Sequence, residues 1–287
     1  MPHTRRGMAN GLLGVAFFSG SLPATRLAVA GFTPAFLTAS RALIAGLLAS
    51  LLLLAWRQPR PSAAQGRSLA VVAGGVVLGF PLLTAIALQH ITSARSLVFI
   101  GLLPLSTALF GVLRGGERPG KAFWAFALAG AGAVAGFALT HGAQASPLGD
   151  GLMLAAILVC GLGYAEGAVL TRQMGGWQVI SWALLLSTPV AVAAVAILWP
   201  AAGLGAVGAG AWAGLAYVSV FSMLLGFIFW YRGLSLGGIA RVGQLQLLQP
   251  FMGLALAALV LHEPVAPAML LVTVAVVGCV AGARRFA

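Results

Sequence analysis

The stretch 94–117, ARSLVFIGLLPLSTALFGVLRGGE, returns at 240–263 as ARVGQLQLLQPFMGLALAALVLHE. In both, an Ala-Arg pair (Ala94-Arg95, Ala240-Arg241) opens an apolar run, a proline lies inside it (Pro104, Pro250) and a glutamate closes it (Glu117, Glu263). The intervals are the same and the copies lie 146 residues apart. A chain made of two related apolar halves is the plan of many secondary transporters, whose substrate site lies between the halves.

Composition points to the same medium. Of 287 residues, 61% are hydrophobic and 7% charged, against about 25% charged in a soluble domain. That is too little charge to cover a surface facing water. The net charge of +12 raises the question of nucleic acid. The basic residues, however, come singly or in small groups between apolar runs, as in cytoplasmic loops at a membrane, and form no stripe. Arg5 and Arg6 precede the first run and no small-residue cleavage site follows it, so it reads as a first span and not a removed signal. Cys160 and Cys279 sit within apolar runs, and no disulfide is expected.

A bilayer core of about 30 Å takes about 20 apolar residues per helix. Ten segments qualify: roughly 10–29, 35–56, 69–88, 93–113, 122–140, 149–170, 177–199, 209–230, 239–261 and 267–283. The expected fold is therefore an all-α integral membrane protein. With the N-terminus in the cytoplasm, the cytoplasmic loops hold Arg5, Arg6, Arg57, Arg60, Arg67, Arg114, Arg118, Lys121, Arg172, Arg232, Arg284 and Arg285, and the opposite loops hold no Lys or Arg. This asymmetry places both termini inside. It divides the chain into halves 1–142 and 143–287 of five spans each. Five is odd, so the halves are inverted, which suits alternating access around a central site. The expected location is a bacterial plasma (inner) membrane.

Ten spans, Arg41 in the second, and the Ala94-Arg95/Pro104/Glu117 and Ala240-Arg241/Pro250/Glu263 series, with Glu263-Pro264 after the ninth span, resemble the drug/metabolite transporter superfamily and its EamA-type branch. The resemblance covers nearly the whole chain. It departs at Glu117-Arg118-Pro119, where the second copy reads Glu263-Pro264. It implies export or exchange of small metabolites, most of all aromatic and other neutral amino acids. It also implies a cavity lined by the first, third, fourth, sixth, eighth and ninth spans, with the fifth and tenth peripheral. The alternatives are drugs, purines or quaternary amines as substrates, or a membrane scaffold that transports nothing.

The ninth span is the most polar, with Gln244, Gln246 and Gln249. On an α-helix Arg241, Gln244 and Leu248 share a face. Gln244 is the first candidate for bonding a substrate carboxylate or amine, and Gln246 is a further substrate-binding candidate. Interhelical hydrogen bonding is the competing role for these amides. Tyr164, Thr84 and Ser222 place polar groups on lining spans. Phe80, Phe99, Trp182, Tyr217 and Trp230 are candidates for aromatic walls, although Trp56, Trp199 and Trp230 also stand at span ends, where an interfacial belt forms. Pro23, Pro104 and Pro250 remove backbone donors and bend their spans, so they are gating candidates as well as packing kinks.

Charged candidates are Arg26, placed to meet a carboxylate or to snorkel, and Arg41, which is deeper and expected to bridge backbone carbonyls. Arg95, Arg241 and Glu166 complete the set. Glu166 is either a proton-coupling acid or a residue facing cytoplasmic water. Gly132/Gly136 and Gly278/Gly282 form small-xxx-small pairs in the fifth and tenth spans, expected to let helices approach within the bundle, with a dimer contact as the alternative to a monomer. Gly115, Gly120 and Lys121 imitate a phosphate loop, but Ala122 stands where Ser or Thr should be. The four histidines form no metal pair. No cofactor, metal or catalytic residue is expected, and the partners are a small-molecule substrate and the lipid bilayer.

Overall fold

The computed structural model describes residues 2–115, 120–139, 146–201, 203–237, 243–283 and 285. Regular structure among them is helical throughout. Helix α1 (Pro2–Ser19) and α2 (Ser21–Ala28) are separated by Gly20, and α3 (Pro34–Ala55) follows. Then come α4 (Ala63–Val72), a π-helical segment Ala73–Gly79 and α5 (Phe80–His90), in continuous succession. Helices α6 (Ser93–Ile100) and α7 (Leu103–Gly115) are separated by a turn, and α8 (Lys121–Leu139) closes the first half of the chain. The second half has α9 (Pro147–Met174), α10 (Gly176–Ile197), and α11 (Ala209–Ala216), a second π-helical segment Tyr217–Leu225 and α12 (Gly226–Gly237). A 3-10 turn, Gly243–Leu248, leads into α13 (Gln249–Leu261), and α14 (Pro267–Ala283) ends the fold.

Short polar punctuation starts these helices. The Thr33 hydroxyl accepts from Phe36 N–H ahead of Pro34, and Ser62 and Gln65 form a reciprocal capping box. Thr92 accepts from Arg95 N–H at 3.2 Å, and Ser146 from Gly149 N–H at 3.2 Å ahead of Pro147. Each satisfies an orphan donor, and proline in the first turn forfeits no helical bond.

Among the described residues, six helices are long and apolar enough to cross a membrane: Pro34–Ala55, Ala63–His90, Ser93–Leu113, Pro147–Met174, Gly176–Ile197 and Ala209–Gly233. Lys121–Val134, Leu245–Leu261 and Pro267–Gly282 are apolar but shorter. The chain is thus an integral membrane protein. Leu54, Ile197, Leu259 and Leu271 are each more than two-thirds exposed, as lipid-facing side chains are while the backbone satisfies itself within helices.

The 146-residue interval of the sequence recurs in the helix borders. Shifted by it, Ala63, Leu103, Gly115 and Lys121 fall on 209, 249, 261 and 267, which are the borders Ala209, Gln249, Leu261 and Pro267. The π-helical Ala73–Gly79 falls on 219–225, inside the second π-helical segment. A π turn inserts a residue into an α-helix and is frequent at functional sites.

The halves interleave. Helix α1 lies against α12 so closely that a Cβ on Gly233 would stand 2.6 Å from the Gly11 backbone, and a Cβ on Gly75 would stand 2.7 Å from the Val159 carbonyl of α9. Helix α3 packs on α10, and α8 on α14. The in-bundle role expected of the small-xxx-small pairs holds for Gly282, which packs on Phe126 of α8, and is corrected for the others: no described residue lies within 4 Å of a Cβ on Gly132, Gly136 or Gly278. Contact between α8 and α14 runs through Gly130, against Cys279, which turns the Gly132/Gly136 ridge outward. Trp230 is likewise no belt residue. It is buried in the core against Phe18, whereas Trp56 and Trp199 are exposed at helix ends.

Candidate functional site

A cavity with about 30 Å³ of room for water lies at the centre of the bundle. Phe18, Ser21 and Leu22 of α1 and α2, Val76, Phe80 and Pro81 of the first π segment and α5, and Ile100 and Leu103 at the α6/α7 break line it from the first half. Cys160 and Tyr164 of α9, Ser222, Met223 and Phe227 of the second π segment and α12, and Gln249 at the start of α13 line it from the second. Arg41 of α3 completes the wall. All six spans that the resemblance implies contribute, together with the second. Both π segments lie in the wall.

The local sequence explains why the wall is broken here. Helix α2 begins after Gly20, and Pro23 lacks the donor that would continue the ladder from α1. Helices α7 and α13 each restart one residue before their prolines, Pro104 and Pro250, so both prolines occupy first-turn positions where no donor is missed. The expected bend is therefore a break, N-terminal to each proline, at Gly101-Leu102 and across Gly243–Leu248.

The polar groups of the cavity include a cluster of Ser21, Ser222 and Arg41, and the Gln249 amide. Ser21 and Ser222 hydroxyls are 2.7 Å apart. Arg41, 5% exposed, donates from Nη2 to the Val218 carbonyl at 3.3 Å and the Ser222 hydroxyl at 3.4 Å. Its Nε has no partner among the described residues, nor has the buried Gln249 Oε1. Among the described residues, no Asp or Glu lies in the wall. The remainder is mainly aromatic and aliphatic, with Tyr164 edge-on to Phe227.

Of the sequence candidates, Phe80, Tyr164, Ser222 and Arg41 meet at this cavity. Thr84 is buried, but its hydroxyl is used by the Phe80 and Pro81 carbonyls. Phe99 is fully buried edge-on to Phe137, and Trp182 packs half-buried on a core cluster of α3, α10 and α12. Tyr217 and Pro23 lie elsewhere, in an apolar groove of about 270 Å³ between α2, α11 and α13. There the Tyr217 hydroxyl donates to the Phe17 carbonyl at 3.0 Å. Glu166 is half-buried outside the cavity wall. Arg241 and Glu117 lie outside the described residues, as do the side chains of Gln244 and Pro104. Gln246 is buried with Nε2 unpartnered, but it is Gln249 that reaches the cavity. The expected face assumed 100° per residue, and the 3-10 turn Gly243–Leu248 advances about 120°, which re-aims the glutamines.

Two charge clusters close the end of the bundle where α5 stops and α6 begins. Glu263 accepts from Ser93 N–H at 3.2 Å, Ser93 hydroxyl at 2.7 Å and Ala94 N–H at 2.8 Å. It caps the positive end of α6. Arg26 stands 4.0 Å from it and donates to the Leu88 carbonyl. Arg95 grips Asp150 with Nε at 2.9 Å and Nη2 at 2.6 Å, with its guanidinium 4.7 Å from the Phe137 ring centroid. The sequence did not single out Asp150, nor the Glu263–Ala94 link. Asp150 in the first turn of a helix after Ser-Pro was the available cue.

Comparison with known proteins matches the EamA-like transporter family twice, over residues 5–139 and 147–284. The chain is 62% identical to "Uncharacterized transporter YdeK" of Bacillus subtilis over 287 residues, all of both chains. It is 33% identical over 189 residues to "Uncharacterized protein PA1977" of Pseudomonas aeruginosa, covering 65% of this chain and 62% of that one. A solved crystal structure superposes with a TM-score of 0.66 at 20% identity, over 96% of each chain, which shows a shared fold.

Proposed function

We propose that this chain, which belongs to the EamA-like transporter family and is a multi-pass transporter of the bacterial plasma membrane, exports or exchanges amino acids. Aromatic and neutral amino acids are the first expected substrates. In this reading two inverted halves of five spans each carry the central cavity between them and expose it to either side in turn. The observation that carries the proposal is the make-up of the cavity wall. Both halves contribute, the wall is mostly apolar and aromatic, and a few polar groups converge in it, as in small-molecule sites generally.

The helix borders and π segments that recur at 146 residues support the duplication, and the one-sided basic loops support the inverted orientation. On that orientation the Glu263 and Arg95–Asp150 clusters lie at the outer face, which is then closed. The breaks before Pro104 and Pro250 and at Gly20 are the bending points. The Arg41 guanidinium in the wall, with no acid beside it among the described residues, disfavours quaternary amines as substrates.

The test is counterflow of labelled amino acids in proteoliposomes, with and without an imposed pH gradient. Uptake of aromatic or neutral amino acids above empty liposomes is expected. A panel in which no amino acid moves while purines or cationic drugs do refutes the amino-acid reading.

A further inference from the structure

Arg41 and Arg95 are both buried arginines, and they differ in one respect. Arg95 spends the Nε/Nη2 edge of its guanidinium on the two oxygens of Asp150, the fork-to-carboxylate geometry for which that edge is shaped. Arg41 is in the wall of the central cavity. Its Nη2 makes two long bonds, at 3.3 and 3.4 Å, and its Nε makes none among the described residues. Arg41 is in neither of the ion pairs Arg26–Glu263 and Arg95–Asp150. A guanidinium held in a bilayer without a counter-charge is costly, and such residues mark substrate pathways. A purely structural tie to the Val218 carbonyl would not need a charge facing the cavity.

We infer that Arg41 is the substrate's carboxylate anchor. An incoming carboxylate takes the Nε/Nη2 edge as Asp150 takes that of Arg95, with the Ser222 hydroxyl as a further donor. Gln249 Oε1, buried and unpartnered in the same wall, accepts from an ammonium or other N–H on the same molecule. Phe18, Phe80 and Phe227 hold an apolar body. The ligand class is thus a monocarboxylate with an apolar or aromatic side chain, and an α-amino acid is the member that uses both polar ends. The cavity, with about 30 Å³ for water, has to widen to admit it, and the π segments in its wall are the places where a helix can re-register.

This assignment rests on the reading of the central cavity as the transport site. Four probes separate the two: L-phenylalanine, L-phenylalanine methyl ester, phenethylamine and 3-phenylpropionate, each measured by competition against labelled phenylalanine in proteoliposomes and by thermal shift of the purified protein. Phenylalanine and phenylpropionate are expected to bind, with the ester and the amine about ten- to a hundredfold weaker, the loss expected for a charge-assisted hydrogen bond. Arg41→Gln should remove the preference for the acid over the ester. Arg41→Lys, which keeps the charge but not the fork, should bind the acids more weakly while still preferring them. If wild-type protein takes the acid and the ester equally well, the Arg41 assignment falls and the amino-acid reading stands. That comparison needs no variant to fold. If none of the carboxylates binds or competes, both fall.

Discussion

Neutralising one partner of the Arg95–Asp150 pair should be the most damaging single polar change in the described protein. The side chains are 4% and 6% exposed and joined by two bonds of 2.9 and 2.6 Å. Removing one member of such a pair strands a buried charge, at a cost of about 3–5 kcal/mol. The two single changes are not equivalent. Asp150 sits in the first turn of α9, where the helix end favours a negative charge by about 0.3–1 kcal/mol, so after Arg95→Met it keeps some compensation. After Asp150→Asn, Arg95 keeps the face of Phe137, but the α9 helix end loses its anion. Asp150→Asn should therefore cost more than Arg95→Met. The double variant Arg95→Met/Asp150→Asn removes both charges and should recover most of the loss. Unfolding of the purified protein in mixed micelles, followed by tryptophan emission across an SDS titration, measures all four corners of the cycle. Single variants that each lose less than about 1 kcal/mol, with an additive double, would refute the reasoning, because a buried pair must couple.

Three further outcomes follow from the geometry. Gly233→Leu forces a side chain into the Gly11 backbone and should abolish a monodisperse peak in size-exclusion chromatography, whereas Gly132→Leu, with nothing within 4 Å, should leave it unchanged. Glu263→Ala removes three hydrogen bonds from the start of α6. It should cost about 2–3 kcal/mol and increase labelling of Cys160, a buried residue of the cavity wall, by an impermeant maleimide from outside in a Cys279→Ser background; unchanged labelling would detach Glu263 from closure. Tyr217→Phe gives up the bond to the Phe17 carbonyl and should lower stability by about 1 kcal/mol in the same SDS titration, with no change in substrate preference, since Tyr217 lies outside the central wall.

The membrane class and much of the helix layout were legible because a span needs a long apolar run and because the punctuation recurs. Pro104 and Pro250 even marked the restarts at Leu103 and Gln249 to within a residue. The angular aim of side chains was not legible. Gln249 reaches the cavity in place of Gln246 because a 3-10 turn intervenes, and neither π segment has a composition that separates it from an α-helix. Long-range partners were equally hidden. Asp150 lies 55 residues from Arg95 in sequence, and Ser93 lies 170 from Glu263, so no local pattern reports either bond. Arg41 showed the reverse difficulty. Its depth was evident, but whether its charge was paired needed the positions of every acid around it.

The link between Glu263 and Ala94 gives the repeated punctuation a mechanical meaning that neither copy has alone. The closing glutamate of the second copy holds the opening Ala-Arg of the first, across the seam between the halves. Helix α6 carries that grip at Ser93 and the cavity wall at Ile100, a distance of about 10 Å at 1.5 Å per residue, and it is broken from α7 just beyond. A short rod pinned at one end and hinged at the other swings about its hinge once the pin is released. In the proposed cycle, opening the face at Glu263 therefore frees α6 to swing about the Gly101-Leu102 break beside the cavity wall. Conversely, a substrate that draws the wall together around its carboxylate favours the pinned state. In that proposed cycle, closure at Glu263 and binding at the cavity are linked through α6.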